Sequence, residues 1–303
     1  MMNILGLESS WMAKSNEIVI EKLDLDRHWE GVNRLLELEE WPFIRADLDV
    51  SDEQERAIGL VARVGGVIKG FFTIHHFGDI GYLDMVIIDP SERRNLTLAN
   101  DLWGRAKAEM VKNGFTSKVA HCTRSTARFL RVLGYRAGLK FWLLRKDAHQ
   151  SQAPARAAAR VLSPEYLPRL IALDEQVFGT SRHHWLTALS AQSSATFVGR
   201  FEGDALVASA CLRERRENSL CIDSCNGRDG KHIATLIGEI MEAYPHKRLE
   251  CFVRDGTDLH RNLLANGFYV PDFFTPIGPL VELRQGPNDE VGTGPHVRTL
   301  SWI

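Results

Sequence analysis

The chain repeats itself. The run FLRVLGY at 129–135 is echoed by NLLANGF at 262–268, which sets Gly134 and Gly267 133 positions apart. An earlier run, GVIKGFFTI at 66–74, is echoed by GDALVASAC at 203–211, with Gly66 and Gly203 137 positions apart. Two motifs that recur in the same order at nearly one offset point to tandem, heavily diverged copies of one domain. The length of 303 residues allows this, being about twice a usual ~150-residue domain and enough for two cores. Between the copies, 149–160 (HQSQAPARAAAR) is polar and Ala-rich with one Pro and no β pattern, the signature of a linker. The expected organisation is therefore a flexible extension at 1–16, a first lobe at 17–148, the linker at 149–160 and a second lobe at 161–303. A stretch rich in Gly, Pro and acid groups, 284–295, leaves a strand-like piece at 297–303, expected to return to a sheet edge.

Charge and cysteine usage narrow the function. Lys and Arg number 37 against 39 Asp and Glu, a balance that lacks the basic excess by which proteins neutralise nucleic-acid phosphates; only the bunching between Arg124 and Arg136 leaves a local anion site open. The five cysteines, Cys122, Cys211, Cys221, Cys225 and Cys251, form no CxxC pair and read as reduced structural thiols. The apolar centre at 4–7 is too short for a secretory signal, and no eighteen apolar residues run together. A cytoplasmic protein with no membrane contact is expected. No metal spacing surrounds His75, His76 or His121, so no metal is expected either.

Pattern along the first half predicts strands at 17–22, 57–64, 67–77, 82–88, 118–122 and 138–145, with helices at 27–39, 95–113 and 125–133. Gly65-Gly66 marks a hairpin turn. In the long helix Leu96, Ala99, Trp103, Ala106 and Met110 recur at spacings of three and four, one apolar stripe that makes Trp103 first a core residue. Strands that follow helices later in the lobe imply a parallel crossover.

One segment carries chemistry. A hydrophobic strand stops at Pro90, a short loop holds Arg93 and Arg94, and the small or polar residues Asn95, Thr97 and Ala99 open the long helix. A helix N-terminus offers unpaired N–H groups and a positive dipole end that stabilise an anion such as a pyrophosphate. This strand–loop–helix, followed by a strand, a short helix and Leu133-Gly134-Tyr135, resembles the GNAT superfamily of acyl-CoA-dependent N-acyltransferases over most of 17–147 and more faintly over 161–283. In that family the loop reads (Gln/Arg)-x-x-Gly-x-(Gly/Ala). Aligning Arg94 with the family arginine puts Asn95, Thr97 and Ala99 at glycine positions, where Asn tolerates a positive φ best among other residues. A start at Arg93 would put the bulky Arg94, Leu96 and Leu98 there instead.

The resemblance implies a fold and a site. The fold is α+β: two tandem GNAT-like lobes, each a mixed, mostly antiparallel sheet with helices on both faces. Acetyl-CoA as co-substrate would lie along Val86, Ile87 and Ile88 and on Arg93, Arg94, Asn95, Leu96, Thr97, Leu98 and Ala99. Thr123 matches a family Asn, and Arg128, with Arg124 and Arg131, lies where the family can touch adenosine phosphates or the acceptor; a solvated helix face reads the same way. Catalysis in the family is direct attack of an amine on the thioester. Candidates for the base are Asp84, where members carry an acidic strand residue, and His121 on the neighbouring strand; each reads also as a structural residue. The family's tyrosine acid is replaced by Leu130 in the first half and Leu263 in the second. His75 and His76 point to opposite faces of a strand, so at most one faces the site. Before the second half's helix at 232–244, Asn226-Gly-Arg-Asp-Gly230-Lys does not fit the loop, so that lobe reads as degenerate. Its Asp174 and Arg182, in an element like the Phe-Gly-x-x-Arg run of bacterial tandem members, would line an acceptor pocket or form a salt bridge. Asp47, Asp49 and Glu53 read as a solvated acidic loop that could attract a cationic amine. The expected function is acyl transfer, most simply acetyl, to a small-molecule primary amine by a monomer or homodimer; the alternative is a non-catalytic ligand-binding or assembly protein on the same scaffold.

Overall fold

The computed structural model describes residues 17–39, 45–52, 57–148, 159–215 and 218–286. The expected extension at 1–16, Glu53, most of the linker and the piece at 297–303 lie outside these. The first half runs β1 (Ile18–Lys22), α1 (Leu25–Leu38), α2 (Arg45–Asp52), β2 (Ile58–Val64), β3 (Val67–Phe77), β4 (Ile80–Ile88), a 3-10 turn (Pro90–Glu92), α3 (Leu96–Lys112), β5 (Ser117–Cys122), α4 (Arg124–Val132) and β6 (Arg136–Lys146). The second half follows with β7 (Arg160–Val161), α5 (Leu167–Phe178), α6 (His183–Ala191), β8 (Ala195–Glu202), β9 (Ala205–Arg215), β10 (Ser219–Gly227), α7 (Gly230–Ala243), β11 (Arg248–Arg254), α8 (Asp258–Ala265) and β12 (Leu280–Gln285).

Local chemistry marks the repeat. Gly66 and Gly203 both turn hairpins, with φ of +83° and +57°, and Gly134 and Gly267 follow α4 and α8 with φ of +89° and +82°, conformations that glycine adopts at no steric cost. Thr123 and Thr257 cap the same two helices, each hydroxyl accepting an N–H three residues on.

Three expectations are corrected. Residues 45–52 form helix α2, not a loop: aspartates disfavour helix, but Leu48 is fully buried in the cluster of α1, β2, β3 and β4, and packing overrides propensity. The buried stripe of α3 is Leu98, Leu102, Ala106 and Met110, while Leu96 is 73% exposed. Trp103 stands at the margin, edge-on to Phe72 with centroids 5.9 Å apart. Finally, the stretch expected to be irregular from 284 onward begins inside β12, since Arg284 and Gln285 are paired strand residues.

All twelve strands form one sheet in the order β1-β2-β3-β4-β5-β12-β6-β11-β10-β9-β8-β7. Each half gives its last strand to the other: β12 of the second half lies against β5 of the first, and β6 of the first half lies against β11 of the second. The two exchanged strands pair with each other at the centre. Because β4 and β5 are parallel while β12 is antiparallel to β5 and to β6, and β6 to β11, the parallel pair β10 and β11 runs opposite to β4 and β5. The halves are thus related by a pseudo-twofold axis through the sheet.

Helices cover both faces. On one, α3 and α4 pack on Ile74, Leu83, Val281 and Leu283, and α7 and α8 on Ala210, Ile222, Leu249 and Leu144. On the other, α1 and α2 cover Phe71, Met85 and Ile87. There α5 and α6 build a cluster in which Phe77, Ile80, Tyr82 and Val119 of the first half pack with Phe178, Trp185 and Leu189 of the second. The interface between halves is therefore part of the core.

This exchange predicts that neither half folds alone. Halves cut within 149–158 and produced separately are expected to be aggregated, and produced together to co-purify as one cooperative unit by size-exclusion chromatography and thermal melting. A monomeric, cooperatively unfolding 1–148 fragment would contradict it.

Candidate active site

The site is set by where two parallel strands stop pairing. β4 and β5 are registered from Ile80 opposite Ser117 to Leu83 opposite Ala120 and no further. On its other side β4 shifts register against β3 between Phe72 and Ile74, which places a bulge at Asp84 and Met85. Such a bulge bends the strand and re-aims side chains. From Asp84 to Ile88 the β5 side of β4 has no strand partner among the described residues, while β5 continues beside β12. Asp84 and His121 are the first residues past the last pair. They share a face: Tyr82 and Val119, two residues earlier on each strand, both join the cluster between the halves.

Asp84 is held from below. Its Oδ2 accepts a hydrogen bond from Thr73 Oγ1 at 3.1 Å and lies 3.1 Å from His75 Nε2, and its Oδ1 is buried without a hydrogen bond among the described residues. Thr73 in turn accepts the Met85 N–H at 3.1 Å, which fixes the bulge. Of the histidine pair it is therefore His75 that meets the site; His76 stacks near Phe115, 6.2 Å between centroids. On β5, His121 is nearly enclosed, its side chain 5% exposed, with Phe141 edge-on at 5.4 Å and Glu282 Oε2 3.4 Å from Nε2. Glu282 also accepts from Arg284 Nε at 2.6 Å. Burial pushes its pKa up, but the bonds and charges of His121 and Arg284 outweigh this and hold it at about 2. Cys122 beside His121 is no nucleophile, since burial pushes its thiol up to about 12.

The loop before α3 is built differently from a glycine cradle. Asp89 ends β4 buried, accepting from Ser91 N at 2.9 Å, Ser91 Oγ at 2.6 Å and Lys69 Nζ at 3.2 Å and pairing Arg34 at 2.9 Å. Burial raises its pKa, yet these bonds pull the carboxyl well below its ordinary range. Arg93 pairs with Glu39 and reaches Ile88 O at 3.4 Å, and Arg94 is exposed. Asn95 has φ of −79°, so the positive φ expected for a residue in a glycine's place does not occur. It is the N-cap, and its Oδ1 takes the Leu98 N–H at 3.1 Å. The Thr97 amide makes no hydrogen bond among the described residues. Thr97 is exposed, Ala99 half-buried and Leu98 in the core. On the strand Val86 is 45% exposed, Ile87 lies in the α1 cluster and Ile88 against the α3 cluster. Thr123 caps α4, along which Arg124, Arg128 and Arg131 are exposed.

The second half carries the same construction with different contents. Its parallel pair stops at Cys221 opposite Glu250, and a register shift between Ile222 and Ser224 leaves Asp223 at the bulge. There the carboxylate is consumed: Arg213 lies 3.1 Å and Arg215 3.2 Å from Asp223, and both arginines also pair with Asp47 of α2. Asp47 is thus a buried ion-pair partner, 1% exposed, and not a solvated loop acid; Asp49 lies 3.6 Å from Arg45. Asp174 and Arg182 are buried and joined, Nε to Oδ2 at 3.0 Å, with Ser224 and Asn226 bonded to the pair. The Arg182 guanidinium lies over Phe178 at 4.2 Å and Trp185 at 4.8 Å, and 5.8 Å from Phe77 of β3.

Thr73, Glu282, Arg284 and the Arg213–Arg215–Asp223 set were not found from sequence. Only the alternation of charge and apolar residues in LVELRQ could have marked β12. Among the described residues, no three His, Cys, Asp or Glu side chains gather as a metal site, and no helix is long and apolar enough to cross a membrane.

No family model matches the sequence, and no curated protein matches it. Solved structures do. A proposed acetyltransferase from Pyrococcus horikoshii superposes with a TM-score of 0.70 at 9% identity, over 95% of this chain and 95% of that one. A GCN5-related N-acetyltransferase from Sphaerobacter thermophilus gives 0.60 at 14% identity, over 88% and 95%. A tandem GNAT protein from the clavulanic acid biosynthesis pathway gives 0.62 at 15% identity, over 90% of this chain and 100% of that one. The chain therefore has the α+β fold of the GCN5-related N-acetyltransferases, as two tandem lobes.

Two measurements test the electrostatics. The folded chain holds the Glu282 carboxyl down at about 2, below its ordinary 4.5, so its stabilisation is present above that ordinary value and lost as pH falls from there toward 2. Glu282→Gln is expected to flatten the fall in melting temperature over that window. Asp47→Ala leaves two buried arginines short of a partner and is expected to cost about 3–5 kcal/mol in chemical denaturation; a loss under 1 kcal/mol would contradict the burial of the network.

Proposed function

We propose that the chain is an acyl-CoA-dependent N-acyltransferase, most simply an acetyltransferase, that acylates a small-molecule primary amine in the first lobe. The observation that supports it is the parting of β4 and β5 directly at Asp84 and His121. The unpaired edge of β4 over Asp84–Ile88 suits the amide groups of a pantetheine arm, which would hydrogen-bond as a further strand does. The free Thr97 amide and the positive end of α3 suit a phosphate, and Arg128 with Arg124 offers cations at the end of β5.

Bound there, the thioester supplies an acyl carbon open to attack by the amine. His121 accepts the proton that the ammonium must shed, on an imidazole nitrogen lone pair. Asp84, sealed beneath with one oxygen unbonded, stabilises the positive charge gathered at the parting. Thiolate departure draws its proton from solvent, because Leu130 stands where the family carries a tyrosine. Asp174 and Arg182 act on the acceptor from a distance, by fixing Phe77 and the end of β3. The five free cysteines suit a cytoplasmic setting, and the chain works as a monomer or homodimer.

A second reading, a non-catalytic ligand-binding or assembly protein, is favoured by one feature: Asn95 and the Asp89 ion pairs occupy the loop that elsewhere cradles a pyrophosphate. Calorimetric titration with acetyl-CoA separates the two. One saturable site per chain is expected, abolished by Thr97→Arg with the melting temperature unchanged. With an amine acceptor, His121→Gln is expected to lower kcat about 100-fold or more. No binding at millimolar acetyl-CoA would favour the second reading.

A further inference from the structure

We propose that Glu282, carried by the exchanged strand of the second half, positions His121 of the first half as the proton acceptor, a role that rests on the acyltransferase reading above. The register of β12 on β5 sets Glu282 directly opposite His121. Its Oε2 lies 3.4 Å from Nε2, and Oε1 is held by Arg284 Nε at 2.6 Å. β6 supplies the remaining wall: a Cβ at Gly138 would come within 2.8 Å of Glu282 Oε1, so a glycine there leaves the carboxylate its room, and Phe141 stands edge-on to the imidazole. Three strands from both halves thus fix one ring.

Among the described residues, the charged groups on this face of the sheet around His121 are Glu282 and Arg284 of β12 and, just beyond the last β4–β5 pair, Asp84 with its partner His75 of β3. A carboxylate beside an imidazole favours the protonated ring and decides which nitrogen carries the resting proton. Nε2 lies near Glu282 without a hydrogen bond among the described residues; once that contact closes, Nδ1 is the nitrogen left to accept. In the reaction the amine nitrogen bonds to the acyl carbon, the carbon–sulfur bond breaks, the ammonium proton passes to His121 and the thiolate is protonated by solvent. Glu282 bonds to neither substrate and is a positioning residue.

The test uses the full chain with isotope-labelled histidine, titrated by NMR as wild type, Glu282→Gln and Gly138→Ala. Gln keeps the shape and removes the charge, whereas the alanine methyl displaces the carboxylate with Glu282 in place. Both are expected to lower the His121 midpoint by about one pH unit. The acidic limb of kcat/KM for the amine should move down with it and kcat should fall about 10-fold to 100-fold, with acetyl-CoA affinity unchanged. A midpoint that stays put in both variants overturns the proposal. So does a limb that fails to follow a midpoint that has moved. A wild-type chain that acylates no amine overturns the acyltransferase reading and this role with it, while the titration, which needs no substrate, shows separately whether the contact exists.

Discussion

Everything in this molecule depends on the pairing of β12 with β5. That ladder closes the first half's sheet with a strand made from the far end of the chain, and it seats Val281 and Leu283 beneath α3 and α4. The reciprocal ladder of β6 on β11 does the same for the second half. An edge strand left unpaired invites aggregation; by exchanging their last strands the halves remove the two inner edges at once. The outer edges, β1 and the two-residue β7, are short.

The same construction explains why two equivalent bulges hold such different chemistry. At each, a parallel pair parts and an aspartate sits at the break. Asp223 is neutralised by Arg213 and Arg215, and Asp47 completes a fully buried set of two cations and two anions. Two charges buried together cost less than one alone. Among the described residues, Asp84 is met by neutral or titratable partners, Thr73 and His75. The second half keeps the same bulge and spends its charge on cohesion between halves.

How far this was legible follows from the physics of each signal. Periodicity located β3 to the residue and most other first-half elements within about two, because a half-buried strand or helix must show its face in sequence. The turn glycines revealed the repeat because positive φ demands them. Helix α2 was invisible: its aspartates argue against helix, and only Arg213 and Arg215, far away in sequence, make Asp47 welcome inside. Asp84 and His121 could be singled out as candidates through resemblance to a loop and strand, yet Glu282 could not, since nothing local to LVELRQ says which strand it will join. Asn95 shows the limit of reading a motif by position. It stands at a glycine's place but serves as a helix cap, with ordinary backbone and its oxygen turned inward.

The exchange also has a consequence in time. β5 ends at Cys122 and its partner begins at Leu280, so the contact that closes the first half spans more than half the chain. Loop closure over such a distance is slow and leaves apolar surface exposed until it happens. During synthesis β1 to β5 emerge from the ribosome early but wait for almost all of the second half to be translated before their sheet can close. The half that holds the candidate site is the first to be made and among the last to be finished, and Asp84 and His121 have no closed sheet around them until the chain is nearly whole.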